Sequence, residues 1–160
     1  MRSLNISAVK FLAIVVAMFM LSVSTFAQVS VTLPTVSGVA GSEKLGAVTV
    51  GDLTGQNVTA FQFTVFYDKD VVEITGVETE NTLVAGNAPT VNADVANGQT
   101  VIAWASATPL TGSGTLLNLK FEFKDAGASA LNFGTPSTFM FNAGSPAAAV
   151  TNGSAVTPAV

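Results

Sequence analysis

The side chains that could do general acid–base chemistry are the carboxylates. The 160-residue chain has no histidine and no cysteine, which removes the common nucleophile–base pairs and the usual zinc and copper ligands. Carboxylates gather at one place, Asp68, Asp70 and Glu73, followed by Glu78 and Glu80. A glycosidase needs two of them facing one cleft, and no companion catalytic motif accompanies these. Asp68-Lys69-Asp70 reads as a polar turn between strands, with Asp68 accepting backbone N–H bonds and Glu73 solvated on a strand face. A structural calcium site built from the aspartates is the second reading. Thr111-Gly112-Ser113-Gly114 has the glycines of a phosphate-cradling loop but neither the following helix nor the lysine, so it reads as a hairpin turn. No catalytic residue, metal ligand or cofactor is assigned, and an enzyme is not expected.

Trp104 and Tyr67 are the single tryptophan and the single tyrosine. A module that binds polysaccharide surfaces needs a row of exposed aromatics, and one Trp among small apolar residues reads as core.

The elements that hold these residues are strands. Apolar residues alternate or run in short β-branched blocks, and Gly, Asn, Pro and Thr interrupt them about every ten residues. The clearest strand is Val58 to Asp68: Phe61, Phe63, Val65 and Tyr67 fall on one face and Ala60, Gln62, Thr64 and Phe66 on the other. Thr115 to Lys124 alternates as cleanly, with Leu117, Leu119, Phe121 and Phe123 inward. Further strands are predicted at Val29–Val36, Leu45–Val50, Val71–Val77, Thr90–Val95, Thr100–Ala105, Ala130–Phe133, Thr138–Phe141 and Ala149–Val156, with turns at Gly51-Asp52, Asn97-Gly98, Asp125-Ala126-Gly127 and Asn152-Gly153. The implied fold is all-β, a two-sheet sandwich of the jelly-roll kind.

Residues 1–27 are expected to be a secretory signal. Arg2 and Lys10 precede a 13-residue apolar run, Phe11 to Val23, and Thr25-Phe26-Ala27 supplies small residues for cleavage before Gln28. Such a run rises only about 20 Å as a helix, short of the roughly 30 Å hydrocarbon layer, so no stable membrane insertion is expected. Residues 28–160 would form one secreted domain. It keeps four lysines against ten carboxylates, a net charge of −6, which disfavours a nucleic-acid partner. Without disulfides its stability rests on burial.

The ordered segments resemble the cohesin domain, the docking module of cellulosome scaffoldins and of many non-cellulosomal exported bacterial proteins. The likeness is carried by Val31-Thr-Leu-Pro-Thr-Val-Ser-Gly38 with Gly41, by Ala60-Phe-Gln-Phe-Thr-Val-Phe-Tyr-Asp68 followed by Val71-Val72-Glu73-Ile74 and Gly76-Val77, by Asn97-Gly98, Val101-Ile-Ala-Trp104 and Gly112-Ser-Gly-Thr-Leu-Leu-Asn-Leu-Lys-Phe121, and by Asn152-Gly153-Ser154-Ala155-Val156. It covers Gln28 to about Thr157. The resemblance implies a flattened nine-stranded jelly roll that binds a dockerin, a small helical module of another protein that carries the calcium itself. By position, Gln62, Thr64 and Phe66 match the family's contacting strand, and the Trp104 to Ser106 strand, with Ala105, lies beside them. Gln62 is a conservative departure from the Asn or Asp common there. Direct carbohydrate binding by the same fold and a structural role in surface assembly are the alternative expectations.

Overall fold

The computed structural model describes residues 28–159; the expected secretory signal lies outside the described residues. Within them, no helix is long and apolar enough to cross a membrane. The strands are β1 (Val29–Thr32), β2 (Thr35–Ser37), β3 (Glu43–Val50), β4 (Ala60–Phe66), β5 (Val72–Glu78), β6 (Thr90–Asp94), β7 (Gln99–Ala105), β8 (Gly114–Phe123), β9 (Gly127–Leu131), β10 (Met140–Phe141), β11 (Ala148–Thr151) and β12 (Gly153–Thr157), with a 3-10 turn at Val95–Asn97.

Alternation decides what these strands bury. Phe61, Phe63, Val65 and Tyr67 point inward from β4 and its exit, and Leu117, Leu119, Phe121 and Phe123 from β8, all buried as the sequence implies. They come from two different sheets. One has the order β11-β1-β3-β8-β5 and the other β10-β4-β7-β6, while β2-β12-β9 forms a third, shorter piece. A single bridge, Phe66 to Asn132, ties that piece to β4. Phe61, Phe63, Phe133, Phe139 and Phe141 form a continuous aromatic cluster in the core, with ring centroids 4.8–6.2 Å apart. Thr100, buried on the inner side of β7, shares a hydrogen bond with the Tyr67 hydroxyl at 3.3 Å. A bulge where Leu116 of β8 has no partner on β3 turns this residue inward too.

Two predicted strands divide between sheets. Val29–Val36 breaks at Leu33-Pro34, where proline has no N–H for a ladder: β1 stays in the five-stranded sheet and β2 joins the short piece. Ala149–Val156 breaks likewise at Asn152. Its halves follow the first strand in parallel, β11 beside β1 and β12 beside β2. The two paths meet at Gly153, where a Cβ would lie 2.0 Å from the Pro34 carbonyl oxygen. These divisions are the main departure from a count of nine strands; the sandwich itself is as expected. The strand predicted at Ala130–Phe133 starts earlier, at Gly127, because its partner β12 pairs as far as Thr157 with Gly127.

Candidate functional site

The outward face of the four-stranded sheet is assembled by two side-chain staples. The Thr138 hydroxyl accepts the Thr64 N–H and donates to the Thr64 carbonyl, each at 2.9 Å. Asn142, in a left-handed conformation with φ 44°, accepts the Thr59 and Ala60 N–H groups through Oδ1 at 3.0 and 3.1 Å, and donates through Nδ2 to the carbonyls of Asn57 and Ser145. Short polar side chains tolerate this conformation. β10, only two residues long, is thereby fixed along β4, and Met140 stands opposite Gln62 while Phe141 goes into the core.

Register then lays out the face in rows. Met140, Gln62, Ala103 and Thr90 form one row across β10, β4, β7 and β6; Thr64, Val101 and Asn92 form the next; Phe66, Gln99 and Asp94 form the third. Ala60 and Ala105 are paired at the other end. Gln62, Thr64, Phe66 and Ala105 are therefore brought to one surface. Gln62 and Ala105 are exposed, while Thr64 and Phe66 are half-buried. The Phe66 ring lies against Gly134, where an added Cβ would be 3.0 Å away, so the loop after β9 covers part of it. Met140, 48 % exposed, is the large apolar side chain most open on this face. The sequence reading did not single it out, although the inward alternation of Phe139 and Phe141 points Met140 outward.

Charge is segregated between the two sheets. The strands of this face carry one ionisable side chain, Asp94. Hydrogen bonds from Asn97 and Gln99 hold its pKa below the ordinary value, so it stays ionised at neutral pH. The opposite sheet carries Glu43, Glu122 and Glu73 in one cross-strand row. Glu73 is ion-paired with Lys124 rather than freely solvated, because the chain after β8 returns beside β5.

The carboxylate cluster is built around a turn. Asp68 accepts the Asp70 N–H at 3.0 Å and closes a turn. Among the described residues no three His, Cys, Asp or Glu side chains group into a metal site. Trp104 and Tyr67 are 6 % and 7 % exposed, so neither offers a ring face to a flat polysaccharide. Trp104 stacks on Phe61 and donates its indole N–H to the Asn87 carbonyl at 2.9 Å.

Comparison with known proteins places this architecture. The cohesin domain family matches residues 29–159. No curated protein matches the chain. Among solved structures, the cohesin CaCohA2 of Clostridium acetobutylicum superposes with a TM-score of 0.68 at 22% identity, covering 82% of this chain and 91% of that one. The cohesin–dockerin complex Coh-OlpA-Doc918 of Clostridium thermocellum gives a TM-score of 0.68 at 11% identity, covering 82% and 99%. A non-cellulosomal cohesin of the archaeon Archaeoglobus fulgidus gives 0.64 at 16%, covering 83% and 93%. With a family match that runs through nearly every described residue, and the same sandwich in each of these neighbours, the chain belongs to the cohesin domain family.

Proposed function

We propose that this cohesin domain docks a dockerin-type module of another protein through the outward face of its four-stranded sheet, and that it does so after export from the cell. The observation that carries the reading is the surface around Met140 and Gln62, whose strands carry one ionisable side chain while the opposite sheet is rich in charge. Desolvating neutral groups costs far less than desolvating ions, and interface centres are depleted of charged residues and enriched in Met and aromatics. The relative from Clostridium thermocellum is itself a cohesin in complex with a dockerin. Protein docking is favoured over binding to a polysaccharide surface because Trp104 and Tyr67 are buried and leave no aromatic platform. The role is binding without catalysis, and a dockerin borne by a polysaccharide-degrading enzyme would link the protein to that process.

Immobilised protein should retain dockerin-bearing proteins from the secreted fraction of its own source in the presence of calcium. Against the purified dockerin, Met140→Glu is expected to weaken binding by about 1–2 kcal/mol with little change in stability. Val39→Glu should bind normally, since Val39 is 56 % exposed but lies in the turn after β2, away from this face. A chelator should abolish binding through the calcium-loaded partner and barely move the melting curve of this protein alone. If Met140→Glu and Phe66→Ala both leave affinity intact, docking uses another surface.

Export predicts a mature protein that begins at Gln28. Amino-terminal sequencing and intact mass of the secreted product test this, and a mature form that retains residues 1–27 would contradict it.

A further inference from the structure

A cavity of about 260 Å³ lies beyond the Ala105 end of the sheet, between the β5–β6 connection and the loop after β7. Its lining includes Val84, Leu110 and Trp104, all buried, and Asn87, Thr108 and Thr111, which are exposed. The frame is fixed from both sides by one residue. Asn87 receives the Trp104 indole N–H on its carbonyl and donates its side-chain amide to the Ala105 carbonyl, each at 2.9 Å. Hydrogen-bonding capacity at the rim remains open: among the described residues, no hydrogen bond engages Asn87 Oδ1 or the Thr108 and Thr111 hydroxyls.

From this we infer that the cavity, which adjoins the Ala105 end of the docking face, is a binding site for a single neutral sugar ring. No charged side chain lines it, so neither an anion nor a cation would find a counter-charge to offset its desolvation. A purely apolar ring would displace water from the rim amide and hydroxyls without replacing those hydrogen bonds. A pyranose meets both demands, with an apolar C–H face for the accessible Leu83 and Pro109 side chains and peripheral hydroxyls for Asn87, Thr108 and Thr111. The volume lies just under the roughly 300–1,000 Å³ of pockets for drug-sized ligands, a size that suits one ring.

Trp104 gives the site its own reporter, because it is the only tryptophan. D-glucose, D-xylose and cellobiose are titrated into the purified protein, with tryptophan emission and ¹H–¹⁵N amide shifts recorded together. At least one sugar is expected to saturate with half-effect at about 1–10 mM, with shifts confined to residues 83–87 and 104–111. The isosteric Thr108→Val and Thr111→Val variants, at exposed positions, should each weaken that sugar about five- to tenfold while leaving the unliganded spectrum folded. Absence of saturation below about 100 mM for all three sugars overturns the site. So does saturation that maps to the β4–β10 face, or affinity unchanged in both variants. None of these results depends on a dockerin, and loss of the sugar site would leave the docking reading standing.

Discussion

Replacing Gly153 with alanine is expected to destabilise the protein by about 3 kcal/mol or more, the upper end of what overpacking costs. An added Cβ would stand 2.0 Å from the Pro34 oxygen, 2.8 Å from its carbonyl carbon and 2.9 Å from the Leu33 carbonyl carbon. All three are backbone atoms and cannot turn aside as a side chain end can. The only relief is to separate the two strands, and that would break the Ser154 N–H to Pro34 carbonyl bond at 3.1 Å and disturb the Leu33 N–H to Thr151 carbonyl bond at 2.9 Å. Urea unfolding of wild type and variant measures the change from the midpoint at constant slope. Asn152→Ala is the neighbouring control, since it removes only the acceptor of the Phe133 N–H and should cost about 1 kcal/mol. A Gly153→Ala variant within about 0.5 kcal/mol of wild type would mean that the strands separate there without penalty.

Phe63→Ala should lose about 3–5 kcal/mol, the range for emptying a closed aromatic site. Phe63 has no exposed surface, and its ring stacks on Phe139 at 5.2 Å and meets the edge of Phe133 at 5.8 Å. Those neighbours come from the segment that carries Met140, so the cavity would loosen the docking face as well as the core. Gln62→Ala, one residue earlier and pointing outward, should stay within about 0.5 kcal/mol of wild type in the same unfolding experiment. A loss below about 1 kcal/mol for Phe63 would imply the opposite register, with Gln62 and Thr64 inward.

The two long amphipathic strands were legible because their period is local: β4 and β8 each announce an inner and an outer face within seven or ten residues. From them follow the sandwich, the core phenylalanines and the outward placing of Gln62, Thr64 and Phe66. What local pattern could not supply was partnership across the chain. Thr138–Phe141 reads as a strand on its own residues, but nothing in it says that Thr138 and Asn142 fasten to Thr64 and Ala60, and so Met140 was not placed beside Gln62. The covering of Phe66 by the loop after β9 is hidden for the same reason. Glu73 looks solvated until the chain returns and sets Lys124 against it. The divided first and last strands depend on two distant breaks, Pro34 and Asn152, falling at the same level of the sandwich.

The parallel course of the first and last strands has a mechanical consequence. β1 and β2 lie beside β11 and β12 in the same direction, matched from Val29 with Ala148 to Thr32 with Thr151 and again from Thr35 with Ser154 to Ser37 with Val156. Gln28 and Ala159 therefore leave the sandwich at opposite ends. Tension applied between them draws the paired strands past each other along their length, so the interstrand hydrogen bonds bear the load together in shear instead of opening one after another from an end. Resistance to forced unfolding is a matter of rate, and in this geometry the seam that crosses at Gly153 and Pro34 lies in the path of the load.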